Sequence, residues 1–105
     1  MIELNKMAGT AFETAQARAR KGQLKTDTMS LLKHCAGEVV EATEAYDELC
    51  FFSDEEYVDK MRKTEFADEL GDIITCALIA AAQEGVDIEA ALLRVQEKNA
   101  RRAEQ

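Results

Sequence analysis

The sequence predicts an all-α protein, folded most simply as an antiparallel four-helix bundle. Apolar residues recur at the three- and four-residue spacing of helices. β-branched and aromatic residues never alternate with polar ones over a useful length, so no strand is expected. The chain has 105 residues and no proline. This length predicts one domain over residues 1–105.

Glycines and a capping residue define the first and last helices. The first is expected from about Ile2 to Lys21, because Gly22 follows it as a helix-ending residue. Gly85 ends a later helix in the same way. Asp87 is a good N-cap, and it predicts a last helix from about Ile88 to Ala103.

Two further helices are expected between these. The second starts near Thr26 to Thr28 and continues to about Cys50. Ser53–Glu56 has the S-x-x-E pattern of a capping box, which predicts the start of a third helix. That helix is expected to run to Glu84. In the alternative interpretation, its first turns form a separate short helix near Lys60.

Composition excludes several classes of function. The net charge is −8, from 13 basic and 21 acidic residues, which argues against binding duplex nucleic acid. A nucleotide is still compatible with this charge, because a divalent cation can invert it locally. Without a run of eighteen apolar residues or a signal-peptide core, the chain is expected to be cytoplasmic and not to span a membrane.

Cys35, Cys50 and Cys76 are expected to be small, reduced core residues. Their wide spacing does not suggest a disulfide framework. A zinc site is disfavoured, because His34 is the only histidine.

Two pairs of acids stand beside apolar stripes. At 100° per residue, Glu38 lies inside the edge of the apolar stripe of its helix, and Glu41 lies just beyond that edge. Glu69 and Asp72 repeat this phase on the third helix. Two antiparallel helices packed on these stripes would bring the four carboxylates together.

Such a cluster predicts either protonation or a bound cation, because four ionised carboxylates repel one another. All-oxygen ligands favour Mg²⁺, with Mn²⁺ as the alternative. A di-iron site is less expected, since its usual Glu-x-x-His motif is missing. The structural alternative is two solvated acidic faces.

Cations near the C-terminus are candidates for binding phosphate. Lys98, Asn99, Arg101 and Arg102 lie in "EKNARR", although basic residues in a last helical turn also complement the helix dipole. Lys33 is a further candidate, with an ordinary surface lysine as the alternative.

The paired motif resembles the MazG-like, all-α NTP pyrophosphohydrolase superfamily, which also holds dimeric dUTPases and phosphoribosyl-ATP pyrophosphohydrolases. Its E-x-x-E and E-x-x-D are "EVVE" at 38–41 and "ELGD" at 69–72. The segment "AQEGVDIEAALLRVQEKNARR" resembles the family's last helix, with the closing N-x-x-R as Asn99 and Arg102. The resemblance covers most of the chain from about Leu31 onward.

This resemblance implies Mg²⁺-dependent hydrolysis of a nucleoside triphosphate between the α and β phosphates. It implies that Glu38, Glu41, Glu69 and Asp72 bind the cation. Either Glu38 or Glu41 is the candidate that accepts a proton from the attacking water. The family often has E-E-x-x-E, and here Gly37 replaces the first acid.

Aromatic and polar residues near the motifs are candidates for contacting the base. Phe12 and Tyr46 could stack on it, with core packing as the alternative for both. His34 or Gln16 could form hydrogen bonds to it. The preference for base and sugar is not predicted, because a few pocket side chains decide it.

The third helix is apolar on more than one side, which predicts a homo-oligomer, either a dimer or a tetramer, with the active site near the subunit contact. The apolar residues on several sides of the third helix are Ile73, Ile74, Leu78 and Ile79.

The second functional hypothesis is a catalytically weak helical oligomer that binds nucleotide or metal in a regulatory role. The glycine at position 37 motivates this hypothesis.

Overall fold

Helices form all of the regular structure in the computed structural model, which describes residues 2–104. No strand occurs within these residues, so the predicted all-α class is confirmed. A π-helical turn, Arg62–Phe66, joins the third and fourth α-helices without a break. The α-helices are α1, Leu4–Arg20; α2, Thr28–Leu49; α3, Glu55–Met61; α4, Ala67–Glu84; and α5, Ile88–Ala103.

The predicted third helix is therefore one helical path made of α3, the π turn and α4. The alternative of a separate short first part near Lys60 matches α3, which ends at Met61. α1 begins at Leu4, two residues later than predicted, and the start of α5 agrees with the prediction.

Two glycines end helices as predicted. Gly22 and Gly85 have φ values of 72° and 68°, in the left-handed region that residues with a side chain rarely adopt. After α1, the Gln23 N–H donates to the Arg18 carbonyl at 2.9 Å, which is the bond of a Schellman motif. An equivalent bond of 2.8 Å follows α4.

Aspartates begin three of the helices. Asp27 accepts from the backbone N–H of Ser30, and Asp87 caps α5 in the same way. The predicted capping box at Ser53 was wrong by one residue, because Asp54 accepts from two backbone N–H groups, at 3.1 and 3.2 Å. A carboxylate is a better partner than a hydroxyl for the positive end of a helix dipole.

The backbone groups into two compact units. The first contains the residues up to Thr26 together with those from Leu78 onward. In it, the Asn5 side chain of α1 accepts from the Ile88 N–H and donates to Asp87 at the start of α5. The buried side chains of this unit are Ala8, Ala15, Leu78, Ile79 and Ala81.

The second unit, Asp27–Ala77, contains α2, α3, the π turn and the first part of α4. The Tyr46 ring, late in α2, lies 5.6 Å from the Phe66 ring just before α4. Cys35, early in α2, contacts Cys76, further along α4. In this unit, α2 and α4 therefore run in opposite directions. The complete four-helix bundle stays a prediction.

No helix in the part of the chain that the structure describes is long and apolar enough to cross a membrane.

We expect Asp54→Ala to lower the free energy of unfolding by about 1 kcal/mol, because it removes the side-chain acceptor from the start of α3. Urea denaturation followed by circular dichroism measures this change. The matched control is Ser53→Ala, which should change the free energy of unfolding by much less. Equal effects of the two substitutions would contradict the assignment of Asp54 as the N-cap.

Candidate metal centre

Carboxylates of α2 and α4 meet inside the second unit. One carboxylate oxygen from each of Glu38, Glu41 and Glu69 lies within 4.8 Å of the other two. The three-residue spacing places Glu38 and Glu41 on one face of α2. Asp72 is one turn beyond Glu69, and its charge acts on Glu38 and Glu69. The structure thus gathers the four predicted acids, three of them within reach of one ion.

Two of these acids each have a carboxylate oxygen that forms no hydrogen bond with the described part of the protein. The Oε2 atoms of Glu38 and Glu69 are buried and have no hydrogen-bond partner within residues 2–104. The Glu38 side chain is only 13% exposed. A buried charged oxygen without a partner is strongly disfavoured, so this arrangement favours a proton, a cation or another hydrogen-bonding partner at these atoms.

Burial and neighbouring charges also disfavour the ionised forms of Glu38 and Glu69. Burial raises the pKa of Glu38, and the charges of Glu41 and Asp72 raise it further. Burial also raises the pKa of Glu69, followed by the charges of Glu41 and Asp72. The charges of Glu41 and Asp72 therefore make ionisation of Glu38 and Glu69 less favourable, as expected when like charges share a site.

The donor set fits a hard divalent cation. Every donor in the cluster is a carboxylate oxygen, and Mg²⁺ and Mn²⁺ prefer oxygen ligands. Mg²⁺ typically keeps several waters and is held by few carboxylates, which suits a site that is only partly buried. A cation placed among Glu38, Glu41 and Glu69 would satisfy the two buried oxygens and remove the repulsion.

An open acidic cleft of about 410 Å³ adjoins the cluster. Its charge would repel a free polyphosphate, so a nucleotide could approach only with cations that neutralise it. The cleft is lined by Glu41, Glu44, Ala45, Glu48, Glu65, Asp68 and Glu69.

Two of the predicted substrate-binding residues and one candidate for stacking lie on α2. His34 Nε2 is 3.0 Å from Glu38 Oε1, so this histidine contacts a predicted metal ligand. Lys33 is exposed. The Tyr46 ring packs against Phe66 but is 54% exposed, so Tyr46 is not a core residue.

The remaining candidates lie in the first unit. Lys98, Asn99 and Arg102 are exposed on α5, while Phe12 is half-buried and Gln16 is exposed on α1. Arg102 lies in the last turn of α5, where it complements the helix dipole. Contacts of these five residues with substrate stay predictions.

A second group of donors, beside Glu38, was not predicted from the sequence. Cys76 is 6% exposed, and its thiol forms a hydrogen bond with Cys35. Burial, more than this bond, raises the pKa of Cys76 to about 12. The four-residue spacings from His34 to Glu38 and from Asp72 to Cys76 place each pair on one helix face, and this signal was available in the sequence.

Gly37 lies on α2 in a position that would accept a side chain. A Cβ atom added there meets no atom within 4 Å. Packing therefore does not explain why glycine replaces the acid expected from the resemblance.

Comparison with known proteins identifies the family of the chain. The family model described as the MazG nucleotide pyrophosphohydrolase domain matches residues 25–105. This range contains both acid pairs, at 38–41 and 69–72. No curated protein and no solved structure matches the chain. The match covers most of the sequence, and the chain belongs to the MazG nucleotide pyrophosphohydrolase family.

Proposed function

We propose that this protein hydrolyses a nucleoside triphosphate between the α and β phosphates, with Mg²⁺ as cofactor, giving a nucleoside monophosphate and pyrophosphate. The observation that carries this proposal is the pair of buried carboxylate oxygens, on Glu38 and Glu69, that have no partner within residues 2–104. Solvated acids at a helix surface would not show this feature. Family membership supplies the class of reaction.

Glu38, Glu41, Glu69 and Asp72 would hold the cation. When bound, the cation supplies positive charge to the phosphate oxygens and lowers the pKa of a coordinated water. The protein supplies rigid positions for its ligands, because α2 and α4 each carry two of them at a three-residue spacing.

Glu41 is the better placed of the two candidates for accepting a proton from the attacking water. Its side chain is exposed, whereas that of Glu38 is largely buried. A general base must reach water that enters from solvent. Glu38 then acts mainly as a ligand, and the contact with His34 fixes the orientation of its carboxylate.

Phosphate binding is assigned to cations outside the cluster. Arg102 is the first candidate and Lys98 the second. Lys33 is a further cation proposed for this role, and the Asn99 amide is proposed as a neutral hydrogen-bond donor to the phosphates. A planar guanidinium can bind two phosphate oxygens at once. Their high exposure is compatible with contacting a polyphosphate rather than packing inside the protein.

Gly37 favours the alternative of a catalytically weak oligomer that binds nucleotide or metal in a regulatory role. The open space at this position leaves the acidic cluster with one carboxylate fewer than the pattern of the resemblance. Turnover with a panel of nucleotides separates the two proposals, because only the first produces pyrophosphate.

We also propose a homo-oligomer, a dimer or a tetramer. Leu32, Val39 and Val40 on α2 are 52%, 48% and 56% exposed, and their spacing places them on one stripe of the helix. Leu70 and Ile74, one turn apart on α4, are 44% and 56% exposed. Burying such large apolar side chains against another subunit is favourable.

We expect Mg²⁺ to raise the melting temperature, because an ion that binds only the folded protein stabilises it, by about 2.7 kcal/mol at 100 times its dissociation constant. Asp72→Ala should abolish most of this shift. The control is Asp47→Ala, which removes an exposed carboxylate of α2 outside the cluster. Differential scanning fluorimetry measures the melting temperatures, and an unchanged Mg²⁺ response in Asp72→Ala would remove this residue from the site.

The Mg²⁺-induced shift should also increase with pH, because protonated carboxyls do not bind cations and the pKa values of Glu38 and Glu69 are raised. Without Mg²⁺, the folded protein holds more protons on these groups than the unfolded chain. Their contribution to stability is therefore present at acidic pH and is lost as the pH rises through the raised pKa values.

We expect Glu38→Gln to lower turnover by at least ~100-fold, since a metal ligand contributes more than the ~10–100-fold of groups that orient ligands. Chromatography of the reaction products measures turnover, and circular dichroism checks that helical content is kept. Asp47→Asn is the matched control. If the wild type releases a nucleoside diphosphate and orthophosphate, the proposed position of cleavage is wrong.

We expect multi-angle light scattering to give the mass of a dimer or a tetramer at micromolar protein concentration. Val40→Glu should shift the population towards monomer, because it places a charge on the exposed stripe of α2. Gln23→Glu, at an exposed position before α2 and outside this stripe, adds the same single charge and is the control. A monodisperse wild-type monomer would contradict the oligomer.

A further inference from the structure

A second cluster of metal-binding atoms lies on the other side of Glu38. His34, the Glu38 carboxylate and the Cys76 thiol each offer a ligand atom within 4.8 Å of the other two. Cys35 lies against Cys76, to which it is hydrogen-bonded. The three mutually close donors are thus one imidazole nitrogen, one carboxylate oxygen and one sulfur, and the Cys35 sulfur next to Cys76 is a further donor. All four residues belong to α2 and α4 in the second unit.

We propose that this cluster binds a thiophilic divalent cation of the zinc class, at a site distinct from the all-oxygen cluster. Zn²⁺ is held by four ligands of the imidazole, thiolate and carboxylate types. The composition argued against a zinc site because it offers one histidine, but a carboxylate as fourth ligand removes that objection. Sulfur ligands select against Mg²⁺, which prefers oxygen.

The geometry is close to that of a bound ion. With metal–ligand distances of ~2.0–2.3 Å, the ligand atoms of a tetrahedral site lie roughly 3.5 Å apart. The donor atoms of His34, Glu38 and Cys76 already lie within 4.8 Å of one another, so modest side-chain rotations would bring these three to such separations. The Cys35 sulfur, hydrogen-bonded to Cys76, would have to move further to become the fourth ligand. The ion would replace the contact of 3.0 Å between His34 Nε2 and Glu38 Oε1.

Burial divides the cluster into an inner and an outer part. The Cys76 side chain is buried and Cys35 is half-buried, whereas the His34 side chain is 44% exposed. A cation would reach the sulfurs from the side of His34. On binding, the ion displaces the thiol protons to solvent, and the charges of Glu38 and Asp72, which act on Cys76, favour the cation.

This inference stands apart from the proposed hydrolysis, because three of the four donors lie outside the acidic quartet. Glu38 is the one residue that both clusters share. Removing Glu38 should therefore weaken both sites, whereas Cys76 and Glu69 each belong to one of them.

Titration of the reduced protein with Co²⁺ tests the site, since Co²⁺ reports thiolate ligands by charge-transfer absorption in the near ultraviolet. We expect this absorption to saturate at one Co²⁺ per chain in the wild type and to be lost in Cys76→Ser. The control is Cys50→Ser, which removes the exposed cysteine at the end of α2 and should keep the absorption. Circular dichroism checks the fold of each variant.

Two further variants keep the test decisive if Cys76→Ser fails to fold. His34→Gln changes a partly exposed side chain and should weaken Co²⁺ binding by at least ~10-fold. Glu69→Gln should lose the Mg²⁺-induced thermal shift but keep the thiolate absorption. No charge-transfer absorption in the wild type, its loss in Cys50→Ser, or unchanged Co²⁺ affinity in His34→Gln would overturn the proposal.

Discussion

Repulsion among the carboxylates of Glu38, Glu41 and Glu69 is the constraint on which the site depends. The three acids stand on α2 and α4, two helices whose Leu31, Ala42 and Cys76 are buried. Buried side chains are closely packed, so the helices that carry the carboxylates have little freedom to move apart. Their mutual charge must therefore be neutralised where it is, by protons or by a cation.

The ends of the helices were predicted best, because they depend on residues that are close together in the sequence. Gly22 and Gly85 end helices because they adopt positive φ, and Asp27 and Asp87 begin them because their carboxylates accept backbone N–H groups. Each of these effects depends on a few neighbouring residues. The N-cap predicted at Ser53 was wrong by one residue, because the adjacent Asp54 accepts from the backbone N–H groups of Glu56 and Tyr57.

The acid pairs were also predictable, because helical phase alone places Glu38 with Glu41 and Glu69 with Asp72. The π turn, Arg62–Phe66, was not predicted. It changes the phase between α3 and α4, but both acids of the second pair lie beyond it and keep their relative phase. The contact of Cys35 with Cys76 depends on how α2 is rotated about its axis relative to α4. The periodicity of a single helix does not predict this rotation.

Glu38 connects the two proposed cation sites. On one side it belongs to a cluster of carboxylates suited to Mg²⁺, and on the other it contacts an imidazole and lies beside a buried thiol. Hard and soft donors are thus separated by one side chain, so each cluster keeps its own preference for metals. The proposed hydrolysis rests on the first cluster. Gly37 has open space around it and stands where the resemblance would place a further acid.

Crystals grown with Mn²⁺ and measured at the manganese absorption edge would show whether these carboxylates hold an ion. We expect an anomalous peak within bonding distance, ~2.2 Å, of oxygens from Glu38, Glu41 and Glu69. The Oε2 atoms of Glu38 and Glu69 should no longer lack a partner. A clear structure at saturating Mn²⁺ with no peak there, and with protonated carboxyls hydrogen-bonded to one another, would contradict it.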